Sequence, residues 1–107
     1  MADAVATELS SQIDGALGYL VRCWASVPDF RARWPSLDFE ERAERTFEWH
    51  VVESEMARLH DWSDIGALGS GQRARYTDLL ALIARNRPIL DHLWNDVPAA
   101  DAQAAHG

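Results

Sequence analysis

The sequence has 107 residues, which is enough for one domain with a single core and near the size at which oligomerisation often supplements burial. Its net charge of −7 argues against nucleic-acid and anionic-membrane partners, because phosphate groups bind to basic surfaces. The chain has no lysine and its 10 strongly basic residues are all arginine, which excludes Schiff-base and Walker-type lysine mechanisms.

Cysteine content and hydropathy indicate where the protein resides. Cys23 is the only cysteine, so neither an intramolecular disulfide nor a cysteine-rich zinc site can form within one chain. The N-terminus lacks the basic and apolar segments of a secretory signal, and no apolar run reaches the roughly 20 residues that span a bilayer. We therefore expect a cytoplasmic protein without a membrane partner.

The first predicted helix covers residues 3–26. Its apolar residues recur at spacings of three and four, which is typical of a helix face in a core: Val5, Leu9, Ile13, Ala16, Leu17, Leu20, Trp24 and Val27. On another side, Ser11, Gly15 and Gly18 form a strip of small residues. Either a helix or ligand approaches closely there, or the fold tolerates two glycines that each cost about 1 kcal/mol relative to alanine.

The connection that follows contains two prolines within residues 28–35, so it cannot continue a regular helix. We expect a structured connection with about one helical turn. Phe30 and Trp34 are four residues apart and can fold back onto the core, whereas Arg31 and Arg33 point outward. The two arginines either bind a carboxylate or phosphate of a ligand, or pair with acidic residues of the next helix.

The central predicted helix covers residues 38–62. Asp38 fits the N-cap position, and Glu41 three residues later completes a capping box. Apolar residues form two rows on this helix, one of Phe39, Ala43, Phe47 and Val51, the other of Trp49, Val52, Met56 and Leu59. A surface helix normally carries one apolar stripe. Two rows therefore predict a helix that lies between other elements, some of them from a second copy of the chain.

The last third of the chain predicts two shorter helices. Three glycines within residues 66–71 lack the Gly-Lys-Ser/Thr of a P-loop, so they indicate a helix–helix connection. Ser70 is the expected N-cap of a helix at 70–86, and Pro88 is expected to begin a fourth helix at 88–96.

Together these segments define one helical domain over residues 1–97, followed by a flexible, alanine-rich tail at 98–107. No segment shows the alternating pattern of a strand. The fold class is therefore all-α, a bundle of three to four helices completed by dimerisation.

The central helix also carries the main candidates for chemistry. His50 and Glu53 are one turn apart, so they can act as an acid–base pair or bind one metal ion together. His60 lies about 10 Å further along the helix than Glu53 and cannot share that ion. Di-metal bundles use Glu-x-x-His, whereas this order is His-x-x-Glu and occurs once, so a metal site would need a symmetry mate. We expect no cofactor.

Five tryptophans are the most unusual feature of the composition. Tryptophan is enriched at interfaces and in ligand pockets. Trp34 and Trp62 stand at the ends of predicted elements, which makes them candidates for surface anchors. If they line a pocket with Tyr19 or Tyr76, they can bind a flat apolar ligand.

These patterns favour a small acidic helical protein that acts through contact with itself or another protein, as a homodimer, accessory subunit or regulator. The alternative is a small ligand-binding protein or acid–base enzyme. It would use His50 and Glu53, with Arg31 or Arg33 holding an anionic substrate.

Overall fold

The computed structural model of the protein describes residues 2–95, with side chains from residue 5 onward. Its elements are α1 (Ala2–Ala25), α2 (Val27–Arg33), a 3₁₀ turn (Trp34–Ser36), α3 (Phe39–Asp64) and α4 (Ser70–Trp94). No strand occurs within these residues, which confirms the all-helical class. None of these helices is both long and apolar enough to cross a membrane. The predicted tail at 98–107 lies outside the described residues.

The apolar stripe of α1 forms the centre of the core. Ile13, Leu17, Leu20 and Trp24 on this stripe are fully buried. They share one core cluster with residues of α3 and α4, namely Val52, Leu59, Leu79, Ile83 and Leu90. Helix α1 therefore holds α3 and α4 together, as its spacing of apolar residues predicts.

A cluster of five aromatic rings joins every element of the fold. The rings belong to Trp24 of α1, Phe30 of α2, Trp34 of the 3₁₀ turn, Trp49 of α3 and Trp94 of α4. Their contacts are edge-to-face. The ring centroids lie 5.1 Å apart for Trp24 and Trp49 and 6.2 Å apart for Trp49 and Trp94. Such pairs contribute about 0.5–1.5 kcal/mol each beyond the area they bury. The cluster fixes the short α2 against the long helices.

A buried side chain completes the junction between α1 and α2. In a continuous helix the carbonyl of Trp24 would accept a hydrogen bond from the backbone N–H four residues later, but Pro28 has none. The Asn86 amide of α4 donates to this carbonyl instead, at 2.8 Å, and is itself buried. The hydrogen bond therefore satisfies an acceptor that the proline would otherwise leave unpaired.

The predicted break in the last helix does not occur, because α4 continues from Ser70 to Trp94 through Pro88. Pro88 removes the bond to the carbonyl of Ala84, but both residues are exposed, so water can solvate that carbonyl. Ile83 and Leu90 are buried on either side of this point, and their packing keeps both halves of α4 on α1. The prediction of separate helices at 70–86 and 88–96 is wrong for this reason.

The helix starts were predicted with mixed success. The Asp38 carboxylate accepts a hydrogen bond from the backbone N–H of Glu41 at 2.9 Å, which confirms it as the N-cap of α3. The N-cap of α4 is Gly69 rather than the expected Ser70. The Gln72 side chain accepts from the Gly69 N–H at 2.9 Å, so this backbone donor is satisfied from inside the helix.

The glycine strip of α1 faces open space within the described part of the protomer. A Cβ at Gly15 would meet nothing within 4 Å, and one at Gly18 would lie 3.4 Å from the Arg22 guanidinium. We therefore expect Gly15→Ala to raise the free energy of unfolding by about 0.5–1 kcal/mol, because alanine is the better helix former. Gly66→Ala should lower it, since Gly66 has a φ of +74°. Thermal unfolding of both variants tests this, and a destabilised Gly15→Ala would indicate a partner at the strip.

Candidate functional site

The two apolar rows of α3 have different surroundings. Val52 and Leu59 of the second row are buried, and the Met56 sulfur accepts a hydrogen bond from the Trp24 indole at 3.2 Å. In the first row, Phe47 is 74% exposed and Val51 is 57% exposed. The protomer therefore covers one row and leaves the other open.

We call the open side the outer face of α3 and define it by Ala43, Phe47, Val51, Ser54 and Arg58. At 3.6 residues per turn these five positions fall within about 40° of Phe47 around the helix axis. The two large apolar side chains of the face, Phe47 and Val51, lie side by side and are flanked by the small residues Ala43 and Ser54. A second helix can approach closely at the small residues and pack against the large ones.

The structure separates the two residues predicted to act as an acid–base pair. His50 is exposed, and its ring lies edge-to-face against Phe47, with centroids 6.1 Å apart. Glu53 instead forms an ion pair with Arg87 of α4 at 3.2 Å, and that guanidinium lies over the Trp24 ring. His50 and Glu53 share no hydrogen bond within residues 5–95. The acid–base role of this pair stays a prediction.

The described residues contain no group of three His, Cys, Asp or Glu side chains that could hold a metal ion. Within one protomer, His50 and Glu53 would supply two ligands, whereas a structural zinc site uses four. A metal role for the pair stays a prediction that requires a symmetry mate.

The two predicted anion-binding arginines face different surfaces. Arg31 lies beside Pro88 and His92 of α4, at a shallow cleft. Arg33 lines a cavity between α1, α2 and α3 that is open to solvent. Positions two apart on a helix are separated by about 200° around its axis, so the two guanidinium groups cannot grip one ligand together.

The two predicted aromatic anchors are also far from forming one site. Trp34 is only 3% exposed and packs in the aromatic cluster, so its expected position as a surface anchor is wrong. It folds back onto the core as its spacing from Phe30 predicts. Trp62 is partly buried near the end of α3, where the Arg58 guanidinium lies 4.5 Å from its ring centroid.

The cavity beside Arg33 has a volume of about 270 Å³. Its walls come from three helices, and the lining residues are Tyr19, Cys23, Ser26, Phe30, Arg33, Arg45, Glu48, Trp49 and Val52. Burial raises the pKa of the Cys23 thiol and that of the Tyr19 phenol, so both groups are neutral at pH 7. Sequence reasoning had named Arg33 as an anion ligand and Tyr19 as a pocket residue beside Trp34 or Trp62, but it did not bring Arg33 and Tyr19 together, and neither of those tryptophans lines this cavity.

A second groove, of about 340 Å³, runs between α3 and α4 and is mostly apolar. At its rim, His60 lies 3.3 Å from the Asp64 carboxylate and 3.4 Å from the Tyr76 hydroxyl. Burial raises the pKa of Tyr76, which keeps its hydroxyl protonated. Both His60 and Asp64 are exposed, so their contact is weak and screened by solvent.

Within the described residues the protein is all-helical, with an open apolar face on α3, a partly polar cavity beside Arg33 and an apolar groove between α3 and α4. Comparison of the chain with known protein families, with curated proteins and with solved structures gave no match. The inferences below rest on the outer face of α3 and on the cavity beside Arg33.

Proposed function

We propose that the protein acts through protein–protein contact, as a homodimer in which two copies pack the outer faces of α3 against each other. The observation that carries this proposal is the 74% exposure of Phe47 in the middle of a helix whose opposite side lies in the core. Single exposed apolar side chains are ordinary on protein surfaces. A row that includes Phe39, Phe47 and Val51 on one helix is the pattern of an interface.

A second copy fits this face because the face complements itself in an antiparallel arrangement. A two-fold axis between positions 50 and 51 places Phe47 of one protomer opposite Ser54 of the partner subunit, since both lie 3.5 residues from that axis. The large ring then packs over a small side chain. The symmetric contact repeats on the other side, so one protomer supplies both the large and the small residue.

Charged residues at the edge of the face favour the same register. Glu44 lies toward the start of α3 and Arg58 toward its end, so antiparallel packing brings Glu44 of one protomer near Arg58 of the partner subunit. Within one protomer the Arg58 guanidinium donates to Gln12 at 3.0 Å and to Glu55 at 3.4 Å, so the contact with Glu44 replaces or shares these exposed hydrogen bonds. Two copies with a net charge of −7 each repel one another. Opposite charges at the contact reduce that repulsion, while the apolar centre supplies most of the affinity.

Charge reversal tests this register. We expect Glu44→Arg or Arg58→Glu to weaken the dimer by about 0.5–2 kcal/mol over two equivalent pairs, because each places like charges opposite one another. The double variant should restore affinity. Sedimentation equilibrium at low salt measures the effect, since exposed ion pairs are screened by salt.

The matched control is Arg73→Glu, which makes the same charge change at an exposed position of α4. It should leave the dimer unaffected. If the losses of dimerisation free energy in the two single variants add up in the double variant, the antiparallel register is wrong. If neither single variant changes the dissociation constant, Glu44 and Arg58 do not meet across the contact.

The proposal places the protein in the cytoplasm and keeps its single cysteine outside the interface. Cys23 is a free thiol on α1, away from the outer face of α3. A reducing compartment preserves such a thiol. The dimer therefore needs no covalent link between its subunits.

A further inference from the structure

We infer that the cavity between α1, α2 and α3 binds a small aromatic monocarboxylate. The inference concerns a separate surface from the dimer face and does not depend on it. Ligand sites in proteins are concave, mostly apolar, and carry a few polar groups that fix orientation. This cavity combines an apolar wall with polar side chains from all three helices, and its volume of about 270 Å³ restricts it to a small ligand.

The apolar walls suit a flat ring. Phe30 and Trp49 line the cavity from α2 and α3, and Val52 contributes an aliphatic surface from α3. The Trp49 ring is held by its edge-to-face contact with Trp24, at a centroid distance of 5.1 Å. A wall fixed in this way loses little conformational freedom when a ligand binds, which favours affinity.

The charges at the cavity select a monoanion. Arg45 and Glu48 form an ion pair at 2.9 Å and neutralise each other. The Arg33 guanidinium forms no hydrogen bond or ion pair with the described part of the chain. It therefore supplies one unpaired positive charge, in a planar group whose geometry matches a carboxylate.

The remaining polar groups do not compete with that anion. The Cys23 thiol and the Tyr19 hydroxyl are both neutral at pH 7, since burial raises the pKa of each. A phosphate dianion would need a second unpaired cation, and Arg31 lies at the separate cleft beside α4. A ligand with one carboxylate and an aromatic ring matches both the single unpaired charge of Arg33 and the apolar walls of the cavity.

The test is a titration of ¹⁵N-labelled full-length protein with benzoate, phenylacetate and indole-3-acetate, each compared with its neutral amide. The Trp49 ring lines the cavity, so its indole N–H resonance reports on ligand binding at the cavity wall. We expect at least one acid to shift this resonance in a saturable manner. Its amide should bind about tenfold more weakly, because it loses the charge-assisted hydrogen bond.

The matched variants are Arg33→Gln and Arg31→Gln, two exposed positions on the same short helix. Arg33→Gln should weaken binding about tenfold, whereas Arg31→Gln should leave it unchanged. Absence of saturable binding by all three acids at millimolar concentration would overturn the inference, as would equal weakening by both variants. Phe47→Glu should bind the acid as the unmodified chain does, so failure of the ligand site and failure of the dimer are distinguishable.

Discussion

Phe47→Glu is expected to convert the protein from a dimer into a monomer without unfolding the protomer. The side chain is 74% exposed within one protomer, so its replacement removes little of the protomer's own packing. In the proposed dimer the same ring is buried against the partner subunit, and two-fold symmetry repeats the loss. Burial of a phenylalanine is worth about 1.5–3 kcal/mol, so two copies account for roughly 3–6 kcal/mol. The dissociation constant should therefore rise about 10²–10⁴-fold.

The control for this variant is Val5→Glu. Val5 is 68% exposed on α1, so it resembles Phe47 in exposure but lies on a different helix. Sedimentation equilibrium should show a monomer for Phe47→Glu and the unmodified mass for Val5→Glu, and circular dichroism should show equal helix content. Equal masses for both variants would mean that Phe47 is not part of the subunit contact.

Asn86→Ala is expected to lower the free energy of unfolding by about 1–3 kcal/mol. The Asn86 amide donates to the Trp24 carbonyl at 2.8 Å, and the side chain is only 7% exposed. Its removal leaves a carbonyl without a donor at the junction of α1 and α2. Thermal unfolding at a fixed protein concentration should show a midpoint lowered by about 4–8 °C for each kcal/mol.

A second substitution separates this hydrogen bond from general packing. Pro28→Ala supplies a backbone N–H four residues after Trp24, and Pro28 is exposed, so loss of its ring removes little contact. In the Asn86→Ala background this change should recover part of the lost stability. If Pro28→Ala and Asn86→Ala act additively, the Trp24 carbonyl is not the group that Asn86 satisfies.

Local signals predicted much of this fold. The stripe of α1 repeats at helical spacing, and its buried members, such as Leu17 and Leu20, lie in the core as that spacing requires. The N-cap of α3 was also predictable, because Asp38 and Glu41 are three residues apart and act within one turn. Features that depend on neighbours in sequence are therefore accessible from sequence.

Features that depend on distant contacts were not predictable. Pro88 is a helix breaker by local rules, yet α4 continues through it because the helix packs on α1 on both sides. The hydrogen bond of Asn86 joins residues 62 apart, and no pattern in either segment indicates it. Tertiary contact decides both cases.

The candidate sites also differ in whether they depend on sequence neighbours or on distant contacts. The two rows of α3 predicted a helix with two apolar sides, and the periodicity placed Phe47 opposite Met56. The cavity depends on three helices meeting, so its residues could not be grouped from sequence. Helical periodicity could nevertheless have separated Arg31 from Arg33, since positions two apart on a helix lie on nearly opposite sides.

The most direct test of the central claim is sedimentation equilibrium of the unmodified chain over a range of micromolar concentrations. If the outer faces of α3 pack against each other, the mass should rise with concentration toward twice the 12.0 kDa of one chain. A mass of 12.0 kDa at every concentration would contradict the proposed dimer.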